Sequence, residues 1–486
     1  MKKGRRQFLK GAVAMAAAAG VAGTRRRQAL AETEGNERFL IILCGLGGYS
    51  IQDAFMAVRV SEAASPAELN CFPDEFIEEI GPFRAVSMAP GTEGASGYPS
   101  FQAEFLRRHA SETTVWTQRA SSVNHLNAQT RCLNGDAAWA GRTLMEAVAA
   151  ERGRGLALPN VNMAGSGFAV PGTDPSIPAY ARPIGITDPR LFALGTHAYE
   201  GLRPTWTPQE VSWSRRFRTQ VEAGRDFNRR HRNSRRLETW LEARSRALDF
   251  EAQSLISKLS VVGESESWPL TEYGIDPSAD LAALEAAFPK LEQDPTEAQA
   301  ALAFLLVKHR ASSVVTIAPP AQGLRGPDGE IVIFNSVFDA AHNIHRPSQD
   351  FHWSRLLEVA DGLIGLLKST PYGDQGESLW DRTVLYMPSE FGRVQVRYGP
   401  GGNFGTAHDF PGVQIAVSPL IRGGRIFGDI ERSQGRLIGF EPTASNAIDP
   451  TRPGISEKEG FSAMLELMGI SRAGSGLPPA DFLSKA

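Results

Sequence analysis

Arg38-Phe39-Leu40-Ile41-Ile42-Leu43-Cys44, closed by Gly45, Gly47 and Gly48, is a nearly continuous apolar run with no helical period. Such a run predicts a central parallel strand, buried on both faces, followed by a tight turn. The turn leads to Tyr49-Ser50-Ile51-Gln52-Asp53, which sets a carboxylate just beyond the strand's carboxyl end. Val384-Leu385-Tyr386-Met387 repeats the pattern, stopped by Pro388, and places Glu390 in the same position. In open α/β sheets that edge is where ligands bind.

Outward from these two strands the chain keeps alternating. A helix is predicted over 100–109, a strand at Thr113–Thr117, then the polar stretch Ser121-Ser122-Val123-Asn124-His125. A turn at Asn134-Gly135-Asp136 precedes a helix from Arg142 to Ala149. Residues 158–204 are rich in Gly and Pro and predict surface loops and short edges, and 207–260 predict helix. Two more helices are predicted near 279–291 and 295–310, before the strand Ser312–Ala318 and a hairpin-like excursion up to Phe334. Then comes Phe338-Asp339-Ala340-Ala341-His342-Asn343-Ile344-His345, and Leu356, Leu357, Val359, Ala360, Leu363, Ile364 and Leu367 recur at helical spacing. Val413–Val417 and a helix near 457–469 close the pattern. Strands alternating with helices predict an α/β fold with a mostly parallel central sheet and helices on both faces.

The expected organisation is an export signal over 1–31 and one α/β domain over 32–486, with a helical and loop insertion at about 158–300. Lys2, Lys3, Arg5, Arg6 and Lys10 surround a paired-arginine motif, an alanine-rich apolar run follows from Gly11 to Gly23, and Ala29-Leu30-Ala31 offers a cleavage site. This pattern resembles a twin-arginine signal, which predicts delivery by the twin-arginine translocase to the periplasm or outside the cell; a retained anchor is the alternative. The apolar run falls short of the ~20 residues of a membrane helix, and no later stretch reaches it, so no stable span is expected after cleavage. Without 1–31, which holds eight of the 51 basic residues, 43 remain against 54 acidic ones, a net of −11. A net acidic chain is a poor general nucleic-acid binder. Three cysteines at wide spacing, Cys44, Cys71 and Cys132, make neither a disulfide framework nor a zinc ribbon.

Several strand ends therefore carry chemistry: Asp53, His125, Asp339 with His342, and Glu390 with His408, which a glycine-rich loop (Gly392, Gly399, Gly401, Gly402, Gly405) lets fold back. Carboxylates and imidazoles gathered there suit metal ligation or acid–base work. The plainer readings are a Glu390–Arg393 ion pair, a surface His408 and a structural His125. The crowd of arginines at 215, 216, 218, 225, 229, 230, 232, 235 and 236 reads as a solvated face or as an anion-attracting rim.

Gly47-Gly48-Tyr49-Ser50-Ile51-Gln52-Asp53-Ala54-Phe55, Ser389-Glu390-Phe391-Gly392-Arg393 and the approach Thr296–Val315 resemble motifs of the exported bacterial family called domain of unknown function 1501. That family is related to alkaline phosphatases and sulfatases, so the resemblance implies an alkaline-phosphatase-like fold and metal-dependent hydrolysis of phosphate or sulfate esters. By that relation Asp53 and Glu390 would bind one metal, and Asp339, His342 and His408 another. His125 would orient a small anionic ester substrate or act in proton transfer, and Ser121 or Ser122 would be the nucleophile unless both are plain loop hydroxyls. Mixed Asp, Glu and His ligands suit zinc or manganese better than calcium. Two departures stand out. The family's Asp-x-His is Asp339-x-x-His342 here, and the carboxylate expected before His408 is Ala407. They leave a second reading, an inactive relative that binds or scaffolds in the periplasm.

Overall fold

The computed structural model describes residues 37–485 except 90, 93–94, 198–207, 235–236, 239, 242–254, 321–323, 326–330, 333–337, 375, 399–403 and 444. The signal read at 1–31, Gly399, Gly401, Gly402, Arg235, Arg236, Ile333 and Phe334 lie outside the described residues.

The central sheet has nine described strands: β1 (Phe39–Leu43), β2 (Thr113–Arg119), β3 (Asn160–Asn162), β4 (Ile184–Gly185), β5 (Val314–Ile317), β6 (Thr383–Pro388), β7 (Pro411–Val417), β8 (Arg425–Phe427) and β9 (Ile455–Ser456). Its order is β8-β2-β7-β6-β1-β5-β3-β4, with β9 on β2. Pairing is parallel except for β7, which runs antiparallel to both β6 and β2. The helices that matter here are α1 (Gln102–His109), α2 (His125–Asn134), α3 (Leu144–Arg152), α4 (Pro295–Lys308), α5 (His345–Ser369) and α6 (Glu457–Leu467).

Side chains of β1 alternate between two cores, as the two-residue period of a strand requires. Phe39, Ile41 and Leu43 pack with Phe105 of α1, Leu302 and Phe304 of α4, and Leu356 and Leu363 of α5. Leu40, Ile42 and Cys44 pack with Cys132 of α2, Val148 of α3, and Phe461 and Leu465 of α6. Helices thus cover both faces, and each fully buried aliphatic side chain contributes about 1.5–3 kcal/mol. The fold class read from the sequence is the observed one. One stretch differs: β3, inside residues expected to form loops and short edges, lies fully buried beside β5. The Asn160 and Asn162 amide nitrogens donate there to the carbonyls of Ala181 and Phe168, both at 2.9 Å.

The one antiparallel strand explains how distant residues meet. The carboxyl ends of β1, β2, β5 and β6 share one edge, because β7 reverses direction once between β6 and β2. The residues just before β7 arrive at that same edge. His408 and Asp409 pair there with Arg393 and Gly392 in a short antiparallel ribbon.

Candidate metal centre

The glycines after β1 shape the floor of the edge. Gly47 has φ +95°, and a Cβ there would lie 2.3 Å from the Asp339 backbone nitrogen. Only glycine lets the two loops approach so closely. The Gly47 N–H then donates to Glu390 Oε1, fixing that carboxylate beside the loop. Gly405 meets the same demand: a Cβ would lie 2.1 Å from the His342 carbonyl oxygen.

Asp339 is the hub. Its Oδ1 accepts from Arg393 Nη2 at 2.6 Å, and stands 3.1 Å from His408 Nε2 and 3.2 Å from His342 Nε2. Its Oδ2 stands 3.5 Å from His125 Nε2. The Nε2 atoms of His342 and His408 face each other at 2.8 Å. The far nitrogens of two imidazoles are already committed. His125 Nδ1 lies 3.1 Å from Glu390 Oε2, and His408 Nδ1 lies 3.0 Å from the Val123 carbonyl. A carbonyl only accepts, so His408 carries a proton on Nδ1 and presents Nε2 to Asp339; Glu390 orients His125 the same way, and either Nε2 can bind a metal once it gives up its own proton. Ligand atoms of His125, Asp339 and His408 all lie within 4.8 Å of one another. Nitrogen and carboxylate donors at that spacing fit a zinc or manganese ion.

Local structure accounts for each side chain. Asn124 caps α2 by accepting from the Asn127 N–H at 3.3 Å, which puts His125 in the first turn at the sheet edge. Arg393 is buried and donates to the carbonyls of Gly47, Gly48, Thr406 and Phe338 as well as to Asp339. It therefore ties the β1 loop, the Asp339 turn and the His408 loop together. Glu390 and Arg393 do not form the ion pair that the plainer reading offered: Arg393 turns to Asp339 and Glu390 to His125.

The charges reinforce one another. Burial works to raise the Asp339 carboxyl, but hydrogen bonds from His125 and His408 and the Arg393 charge hold it well below its ordinary value. His125 is pushed up to about 9 by its hydrogen bonds to Asp339 and Glu390, against the opposing effect of burial. Burial and Arg393 push His342 below its ordinary value.

Asp53 does not join this group. It is buried, accepts from Asn70 Nδ2 at 2.7 Å and faces His345 Nε2 at 2.9 Å. Burial opposes its ionisation, but His345 and Arg346 bring its carboxyl below the ordinary value. His345 Nδ1 in turn faces Thr406 Oγ1 at 2.7 Å, and the Thr406 carbonyl accepts from Arg393 Nη1 at 3.3 Å. Asp53 thus reaches the cluster through His345, Thr406 and Arg393. Ser121 donates its hydroxyl to Asp136 at 3.1 Å and takes a hydrogen bond from Arg131, while Ser122 accepts from the Asn124 N–H at 3.1 Å. The Ser121 hydroxyl ties its loop to α2 and the turn beyond it, and the Ser122 hydroxyl serves its own loop. Asp409 is the strand neighbour of His408, and successive strand residues point to opposite faces.

Asn70, Thr406 and His345 went unassigned in the sequence, and Arg393 was read only as an ion-pair partner of Glu390. Arg393 and His345 sat inside quoted motifs. Asn70 and Thr406 had no signal, since a lone amide and a loop hydroxyl are the commonest of surface residues.

No family model matches the chain, and no curated protein matches it. The resemblance to domain 1501 therefore rests on the quoted motifs. Among solved structures the chain is similar to the PsFucS1 sulfatase from Pseudoalteromonas sp., at 11% identity and a TM-score of 0.30, with 91% of this chain and 70% of that chain covered. No helix among the described residues is long and apolar enough to cross a membrane.

Proposed function

We propose that the chain is an exported, metal-dependent hydrolase of phosphate or sulfate esters, built around one divalent ion, zinc or manganese. Asp339, His408 and His125 would hold the ion. The observation that carries this reading is the pinning of two imidazoles, His408 by the Val123 carbonyl and His125 by Glu390, so that both turn Nε2 toward one carboxylate. Imidazole ligands of metals are oriented in this way.

A divalent ion at such a site polarises an ester oxygen and lowers the pKa of water from ~15.7 toward ~7. The chain's own groups have separate tasks. Arg393 holds Asp339 Oδ1 and leaves Oδ2 open toward His125. His342, half-exposed at the rim and pushed toward its neutral form, can take a proton from an attacking water and return it to the leaving oxygen. The Asp53–His345–Thr406 chain steadies the loop that carries His408. With the Ser121 hydroxyl held by Asp136 and Arg131 and Ser122 engaged in its own loop, water is the nucleophile, and Asp53 supports the site from behind instead of binding a second ion.

An activity screen with aryl phosphate and aryl sulfate, with zinc and with manganese, tests this reading. Turnover that needs one of these metals and disappears in Asp339→Asn is expected. Absence of turnover with either metal would remove the hydrolase. The second reading, a periplasmic binding or scaffolding protein, is favoured by Ala407, which gives the rim one carboxylate fewer. Folded protein that takes up no metal after native export would support it.

A further inference from the structure

The helix Pro208–Ala223 belongs to neither core, and none of its described side chains is buried. Trp213, Phe217 and Val221 recur every four residues and form one stripe, exposed by 67%, 58% and 43%. Trp213 and Phe217 stack on each other, with ring centroids 6.0 Å apart. Arg216 and Arg218 fall about 100° to either side of the centre of that stripe at 100° per residue. Phe227, 64% exposed, continues the apolar surface into the short helix Asp226–Arg230. Between 216 and 232 six arginines stand against Glu222 and Asp226 alone, in a chain whose overall charge is negative.

A helix of sixteen residues whose apolar stripe packs into neither core among the described residues is marginal, so the stripe calls for a partner. The charge says which. A second copy would bring arginine against arginine, and a nucleic acid would satisfy the arginines but leave Val221 and the aromatic stack in water. An anionic lipid surface satisfies both: indole and phenyl rings enter the headgroup boundary while flanking guanidinium groups reach the phosphates. We infer that the helix Pro208–Ala223, with Phe227 and the arginines after it, is a docking surface for anionic phospholipid. The chain would then sit on a bilayer without spanning it, and the charged helix would be a peripheral anchor.

Cosedimentation of the full chain after export, with vesicles of phosphatidylcholine alone and of phosphatidylcholine mixed with phosphatidylglycerol, tests the inference. Binding to the mixed vesicles only, weakened by added salt, is expected. The pair Arg216→Gln and Arg218→Gln should lower it by about 25-fold, roughly fivefold per arginine. The pair Trp213→Ser and Phe217→Ser should lower it at least about tenfold. All four positions are exposed, so the variants should keep the melting temperature of the parent. The inference is overturned if the mixed vesicles are not bound, if both vesicle types are bound equally, or if the Trp213 and Phe217 variant binds like the parent. Stripe-dependent dimers or DNA retention without vesicle binding would also overturn it.

Discussion

Asp53 keeps company with one histidine and one amide, and is almost wholly out of water; Asp339 has three histidines and a guanidinium about it, and a fifth of its side chain is open to solvent. Both carboxylates follow strands of one sheet and both were read as ligands. Around Asp53, Asn70 Nδ2 and His345 Nε2 share one carboxylate oxygen and lie 3.1 Å apart, and His345 Nδ1 is taken by the Thr406 hydroxyl. Around Asp339 the imidazoles outnumber the oxygens, and two Nε2 atoms confront each other at 2.8 Å. Residue type alone does not make a ligand. What distinguishes the two places is whether the lone pairs have already been used.

The largest effect that would sharpen this contrast is at the hub. Asp339→Asn keeps an acceptor for Arg393 but removes the charge that draws a cation. Metal content after dialysis and turnover should each fall by at least about a thousandfold, since the whole of the ion's contribution is lost. The fold should persist by circular dichroism.

Asp53→Ala should behave in the opposite way. Removing one partner of a buried, hydrogen-bonded pair costs about 3–5 kcal/mol, read as a lower urea midpoint. Metal affinity should weaken by only about 10–100-fold, the usual effect of losing a group behind the ligands. Complete loss of metal with unchanged unfolding would make Asp53 a ligand and break the contrast.

The pH dependence separates the two states of the rim. His125 is raised to about 9 in the metal-free chain, and its protonated form cannot bind metal. Zinc affinity should therefore rise as pH climbs from 6.5 toward 9, by up to about tenfold per unit. Metal-free stability should move the other way. A histidine whose folded value is raised adds stability that is full below its unfolded value of about 6.5 and is lost as pH rises through about 9. Melting temperature against pH, with and without zinc, checks both signs.

The smallest effect is expected at Ser121. Its hydroxyl is held by Asp136 and Arg131, so Ser121→Ala should change turnover by no more than about twofold and stability by about 0.5 kcal/mol. A loss of several orders of magnitude would make it the nucleophile.

How much of this could be read from the chain depended on the signal each element leaves. β1, β5 and β6 were legible because strands buried on both faces spell out apolar runs. β3 was not, since Asn-Val-Asn has neither length nor hydrophobicity, and its amide nitrogens bond to carbonyls of the loops that follow it. Helix α5 was legible only from Leu356 on. Its first turns bury His345, Arg346, Ser348, Gln349 and Asp350, polar residues that hide a helical period but are held by bonds such as those from Ser96 and Ser100 to Asp350. In the site, the residue types and the shared edge were readable from spacing. Which nitrogen faced which oxygen was not, because the Val123 carbonyl that sets the His408 tautomer has no identity in a sequence.

The account stands or falls on whether the rim gathers one cation through Asp339. Equilibrium dialysis of the full chain against zinc and against manganese, parent beside Asp339→Asn, measures that alone. The account predicts one ion per chain in the parent and none in the variant. Parent protein that binds neither metal, or a variant that binds as well as the parent, would contradict it.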